Sequence, residues 1–250
     1  ILLPQAFGPF SDEDLKQKMK VILEESDLVF ARDSVSKSHL MGLGNYASIH
    51  EAPDFTNLVS GISPEKDFSK KIGIIPNQKM TETGEEDAEK MYLDYLRKTI
   101  ELLQDKGEIP FFLIHESAHD AQIAEAINSV LKNPIEVLMQ QNPLKVKGII
   151  GNSKAVITSR FHGLVSALCQ SVPCLSTGWS HKYQELLADY EYSNALCEVK
   201  NDSDYLNEKL AIILDAESRE TVKNSLQKNA AIQKKKSVDM WGRVLDEIQS

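Results

Sequence analysis

The chain has 250 residues, 42% hydrophobic and 26% charged, with 12 Gly and 9 Pro, a globular composition with core enough for one large or two small domains. A formal net charge of −9 excludes general nucleic-acid binding, because phosphate neutralisation needs a basic face. The one basic run, Lys234-Lys235-Lys236, falls in a helical pattern and reads as a solvated face.

No apolar run approaches the roughly 20 residues of a bilayer span, and no signal-peptide pattern is seen. Cys169, Cys174 and Cys197 are odd in number and lack CxxC spacing, which predicts reduced thiols in a cytoplasmic protein rather than a zinc site or a disulfide framework. The chain opens in mid-strand at Ile1-Leu2-Leu3-Pro4-Gln5, without an initiator Met, so preceding sequence is expected.

After this first strand comes the Gly/Pro loop Gln5 to Phe10. Ser11, with Asp14 three residues on, predicts a helix start, and Leu15, Met19, Ile22 and Leu23 recur at helical spacing. Leu28-Val29-Phe30-Ala31 is a buried-strand candidate. Asp33 to Ser36 opens a helix that stops at Gly42-Leu43-Gly44. The polar stretch 61–71 is the predicted linker, between residues 1–60, read as a remnant of an N-terminal Rossmann-like domain, and a C-terminal domain over 72–250.

In that second part the pattern is regular. Ile72 to Ile75 is a strand, Thr83 with Glu86 starts a long helix with Tyr92, Tyr95, Leu96, Thr99 and Leu103 on one side, and Pro110 to Ile114 is the next strand. A helix follows with Ile123, Ile127, Val130 and Leu131 inward, then the strand Ile135 to Met139 and a short helix to Gly151. Ala155 to Thr158 and Val172 to Ser176 are further strands, separated by a helix Gly163 to Gln170. Helices over Leu210 to Leu214 and Val222 to Ile248 close the domain. This alternation predicts a parallel sheet covered on both faces, with strands that are near-continuous apolar runs.

Ligands of such sheets bind beyond the carboxyl ends of the strands. That rule selects Asn77, His115, Ser159 to His162 and Thr177 to His181 as the lip of one crevice. Arg160 and His162 fall at a predicted helix N-terminus, where backbone N–H groups already favour an anion, and the Arg fork suits carboxylate or phosphate. His162 adds a group that exchanges protons near neutral pH, and Gly163 permits close approach. The competing reading makes Arg160 and His162 simple caps. Arg32-Asp33-Ser34 repeats the logic, either as an anion clamp or as an Arg paired with a local carboxylate beside an Asp33 N-cap. The run His115 to Asp120 lacks HExxH spacing and reads as crevice lining rather than a metal site. Lys182, in Trp179-Ser180-His181-Lys182, is either a ligand contact or part of a surface turn. No Walker loop or GxGxxG is present.

Three segments, Pro4-Gln5-Ala6-Phe7-Gly8-Pro9-Phe10, Ala31-Arg32-Asp33-Ser34-Val35-Ser36 and Pro53-Asp54-Phe55, resemble the middle of the polysaccharide pyruvyl transferase family. Ser159 to Leu168, then Val172-Pro173-Cys174-Leu175 and the Lys of Ser180-His181-Lys182-Tyr183, resemble its C-terminal signature. The resemblance spans nearly the whole chain in the right order. It implies a GT-B-like fold of two Rossmann-like domains facing a cleft, with no required metal or cofactor. The implied reaction moves the enolpyruvyl part of phosphoenolpyruvate onto two sugar hydroxyls, forming a pyruvate ketal in cell-surface exopolysaccharide biosynthesis.

The family's arginines and histidine match Arg32, Arg160 and His162, and Asn77, His115, Ser159 and Lys182 are the further candidate substrate contacts. The implied partners are a small-molecule donor and a glycan acceptor, lipid-linked or free. Family members carry a Gly/Asn/Asp-rich opening motif that is not found here. Two other readings stand beside this one: a GT-B nucleotide-sugar glycosyltransferase or epimerase, in which Glu185 would serve the ribose, and a non-catalytic module that binds an anion at Arg160.

Overall fold

The computed structural model describes residues 1–84 and 86–249, so Glu85 and Ser250, inside the expected 72–250 domain, lie outside the described residues. The chain divides into two compact units, residues 1–58 with 231–250, and residues 59–230.

The first unit is built on three parallel strands in sequence order, β1 (Leu2–Gln5), β2 (Val29–Ala31) and β3 (Ile49–Glu51). Two helices, α1 (Glu13–Glu24) and α2 (Ser34–Met41), connect them. Asp12, not Ser11, caps α1, accepting the N–H of Leu15 at 2.9 Å. Of the predicted stripe only Met19 and Leu23 are buried, whereas Leu15 and Ile22 face solvent.

Alternation along β2 explains the rest. Val29 and Ala31 pack with Met19, Leu23 and Leu40, while Phe30 points to the opposite face, among Ala52, Met240 and Val244. The segment 231–249 therefore covers the second face of this small sheet instead of ending the second unit, as sequence order alone suggests. Trp241 meets Phe55 edge-on at 5.6 Å, and Arg243 Nη1 lies 3.1 Å from His50 Nδ1.

The second unit holds five parallel strands, β4 (Lys71–Ile75), β5 (Ile109–Ile114), β6 (Glu136–Met139), β7 (Ala155–Thr158) and β8 (Cys174–Ser176), in the order β6-β5-β4-β7-β8. The central strands are buried apolar runs, as expected, but β6 is an edge strand with exposed residues. Helix α3 (Ala88–Asp105) buries Tyr92, Tyr95, Leu96, Thr99 and Leu103. It begins at Ala88 and not near Thr83, because Gly84 and Asp87 take left-handed backbone angles, φ +83° and +61°, that a helix cannot include.

Next come α4 (Ala118–Val130) and α5 (Pro143–Asn152). On α4, Ile123 and Ile127 are buried, but Val130 is exposed near the helix end. Helix α6 (Phe161–Leu168) starts two residues earlier than predicted, since the Thr158 hydroxyl accepts the Arg160 N–H at 3.0 Å and tightens the turn. Then follow α7 (His181–Asp189), α8 (Ser203–Leu214) and α9 (Ala216–Gln249).

The stretch 61–71 is not a free linker. Phe68 is buried with its ring 5.0 Å from Phe111, and the Ile62 N–H donates to the Leu144 carbonyl at 2.9 Å. No described helix is long and apolar enough to cross a membrane. The three cysteines are buried, and no disulfide forms among the described residues.

Candidate functional site

In the five-stranded sheet, β4 leads to β5 on one side while β7 leads to β8 on the other. Their carboxyl ends therefore diverge around a crevice, the topological switch point of such sheets. Six predicted residues, Asn77, His115, Ser159, Arg160, His162 and Lys182, lie on the segments that leave β4, β5, β7 and β8 there.

Ser159 and Asn77 form the floor. Asn77 Nδ2 donates to the Ser159 carbonyl at 3.0 Å, and Tyr183 donates its hydroxyl to the same oxygen at 2.8 Å. Tyr92 donates to Ser159 Oγ at 2.7 Å, which also shares a hydrogen bond with Thr177 Oγ1 at 2.6 Å. The Tyr92 oxygen in turn accepts the Asn77 N–H at 3.1 Å. Burial raises the Tyr92 and Tyr183 hydroxyls well above the usual tyrosine range, so both remain protonated donors. Asn77 and Ser159, predicted as substrate contacts, are buried and spend these groups on joining β4 to β7.

Arg160 stands above this floor as the N-cap residue of α6. Its Nε donates to Asp120 Oδ2 at 3.1 Å, Nη2 donates to the same carboxylate oxygen, and Nη1 donates to Glu116. Asp120 is fixed from behind, accepting the Gln78 N–H at 2.9 Å. The His115 to Asp120 run thus lines the crevice and supplies the carboxylates that hold Arg160. Sequence spacing shows the run but not this pairing, which joins residues 40 apart across the β4–β7 divide.

His115 closes one side, its Nδ1 3.9 Å from Glu116 Oε1 and its buried Nε2 without a hydrogen-bond partner. Burial is the main cause that lowers its pKa; Glu116 opposes this, and Arg160 adds to it. The ring is therefore neutral at pH 7. His162 is exposed in the first turn of α6, edge-on to the Phe161 ring at 5.7 Å. Gly163 is required here, because a Cβ would stand 2.7 Å from Thr158 Oγ1.

Lys182, in the first turn of α7, lies over three rings, with Nζ 5.2 Å from the Phe161 centroid, 5.4 Å from Trp179 and 5.6 Å from Tyr183. This is a cation–π arrangement and not a bare surface turn. Among the described residues no group of three or more His, Cys, Asp or Glu is placed to hold a metal ion. In the other unit, Arg32 Nη1 lies 3.4 Å from Asp54 Oδ2, and Asp33 caps α2 by accepting the Ser36 N–H at 2.7 Å.

The arrangement gathers an Arg already paired with Asp120 and Glu116, a Lys and a helix N-terminus, with one exposed and one partly buried imidazole beside them. The sequence profile of the polysaccharide pyruvyl transferase family matches residues 1–181. The chain belongs to this family.

Among curated proteins none matches at a significant level. Solved structures show the fold. A putative UDP-N-acetylglucosamine 2-epimerase from Listeria monocytogenes is 12% identical, with a TM-score of 0.67 over 99% of this chain and 68% of that one. MnaA of S. aureus, solved with UDP, is 14% identical, with a TM-score of 0.63 over 100% and 69%. TarM is also 14% identical, with a TM-score of 0.61 over 98% and 48%. These matches establish a GT-B-like α/β fold.

Proposed function

We propose that the protein is a pyruvyl transferase that moves the enolpyruvyl group of phosphoenolpyruvate onto two hydroxyls of a sugar in cytoplasmic exopolysaccharide assembly. The observation that carries this reading is the grouping of Arg160, His162 and Lys182 at the strand ends of a chain of this family. Phosphoenolpyruvate bears a carboxylate and a phosphate, and Arg160, exchanging its exposed partner Glu116 for the donor, would meet them together with Lys182. Arg32 is kept as a further donor-binding cation on the strength of the family motif alone.

In the reaction, one sugar hydroxyl oxygen bonds to C2 of the enol while C3 takes a proton and becomes the methyl. The second hydroxyl then displaces phosphate from C2, and its proton leaves with the phosphate. His162 is assigned the proton transfers, and Arg160 and Lys182 the charge of the donor. No metal or cofactor is assigned a part. The nucleotide-sugar alternative has the fold likeness in its favour, but α6 carries no carboxylate for a ribose, which leaves Glu185 of α7 to serve instead.

The test is to incubate the chain with phosphoenolpyruvate and candidate glycans. Acceptor-dependent phosphate release with a ketal methyl signal in the product is the expected result. Stabilisation by UDP-sugars in a melting assay, without any by phosphoenolpyruvate, would transfer support to the alternative.

A further inference from the structure

We infer that the cavity bordered by Trp179 and Met91 is the subsite for the neutral sugar ring of the acceptor, an inference that rests on the pyruvyl-transfer reading. The cavity measures about 930 Å³ and opens between the start of α3 and the segment that follows β8. That volume lies within the roughly 300–1,000 Å³ typical of small-ligand sites. Two exposed large apolar side chains, Met91 at 42% and Trp179 at 39%, line its wall.

The indole is set in place by its neighbours. A Cβ on Gly178 would lie 2.3 Å from the Tyr183 ring, so glycine there lets Tyr183 pack close, 5.4 Å from the Trp179 ring. An indole has an apolar body that suits the C–H face of a pyranose.

The charges favour a neutral occupant. Lys79 pairs with Glu82 at 2.7 Å, and Lys200 with Glu198 at 2.5 Å, so the charged side chains of the lining are balanced. A nucleoside diphosphate would bring its charges against two carboxylates with no surplus cation in the lining. Cys197 also lines the cavity, but burial pushes its thiol up to about 12, which leaves it inert as a nucleophile. Lys182 lies over Trp179 and Phe161 alike, so a sugar on the indole would sit next to the cationic cluster that the donor needs.

Saturation-transfer NMR on the full chain tests this, with methyl β-D-glucopyranoside, galactopyranoside and mannopyranoside as probes and UDP as the competitor. Loss of an aromatic contact worth about 1.4 kcal/mol corresponds to about tenfold in affinity. Trp179→Ala is therefore expected to bind at least one glycoside about tenfold more weakly, and Trp179→Phe to recover part of the loss. UDP should not compete.

Equal glycoside binding by Trp179→Ala and wild type, no glycoside binding by wild type, or displacement by UDP would each overturn the assignment. Phosphate release by the wild-type chain reads the reaction separately. Its absence alongside Trp179-dependent glycoside binding would remove the reaction and leave a sugar site.

Discussion

Arg160 Nε lies 3.1 Å from Oδ2 of Asp120, a carboxylate only 2% exposed that also accepts the Gln78 N–H. The guanidinium that would meet an anionic donor is thus held by a buried partner and by Glu116, whose side chain is 41% exposed.

These two carboxylates should differ sharply in weight. Removing one partner of a buried pair leaves an uncompensated charge and costs about 3–5 kcal/mol, whereas an exposed pair is worth about 0–1 kcal/mol. Asp120→Ala is expected to lower stability by about 3 kcal/mol in urea unfolding, and Glu116→Ala by less than 1 kcal/mol. Equal effects would show that Asp120 does not anchor Arg160.

His162 is exposed, so replacing it should leave the fold intact. If it moves protons in ketal formation, His162→Ala should lower turnover about 10²-fold or more, with the unfolding midpoint unchanged. Phosphate release and thermal melting on the same preparation check both halves. Unchanged ketal formation would end the assignment.

How much of this was readable from the sequence depends on the range of the interaction concerned. The strands β4, β5 and β7 and the Tyr92–Leu103 stripe follow from local apolar periodicity, and the strand-end rule then leads to His115, Arg160 and His162. The role of 231–249 in covering Phe30 was not legible, because nothing near Met240 or Val244 names a sheet so far away in the chain. The same holds for Asp120, which looks like an ordinary first-turn carboxylate until Arg160 is beside it. Asn77 and Ser159 fall at the strand ends, as their position indicates, yet their bonding to each other and to Tyr92 and Tyr183 depends on helix packing that periodicity shows only as core. The linker expectation for 61–71 weighed its polar residues and missed Phe68.

Burial of His115 gives a pH dependence whose sign can be worked out. Its folded-state pKa is lowered, mainly by burial, so between that value and the usual 6.5 the unfolded chain binds more protons than the folded one. The stability from this group is fully present above pH 6.5 and is lost as pH falls below it. His50, in the other unit, is lowered in the same direction by its own burial and by Arg243. His115→Gln is therefore expected to flatten, without abolishing, the fall in stability between pH 6.5 and 5. Urea unfolding across that range is the measurement, and a variant that falls as steeply as wild type would contradict the account.

Two glycines should respond to alanine in opposite ways. A Cβ at Gly148, on α5, would lie 1.7 Å from the Ile62 carbonyl oxygen, and Gly61 meets the same stretch, since its own Cβ would stand 2.5 Å from the Gly148 nitrogen. Here α5 and the segment after residue 58 touch backbone to backbone, so neither side has a flexible side chain that could swing away. Gly148→Ala must separate them, and a loss of more than about 2 kcal/mol is expected, as for overpacked cores. Gly242, inside α9, has nothing within 4 Å of a Cβ position and no positive φ. Alanine there should stabilise by about 1 kcal/mol through helix propensity alone. Denaturant midpoints of the two variants provide the comparison, and a neutral Gly148→Ala would mean that the 61–71 stretch is not packed on α5.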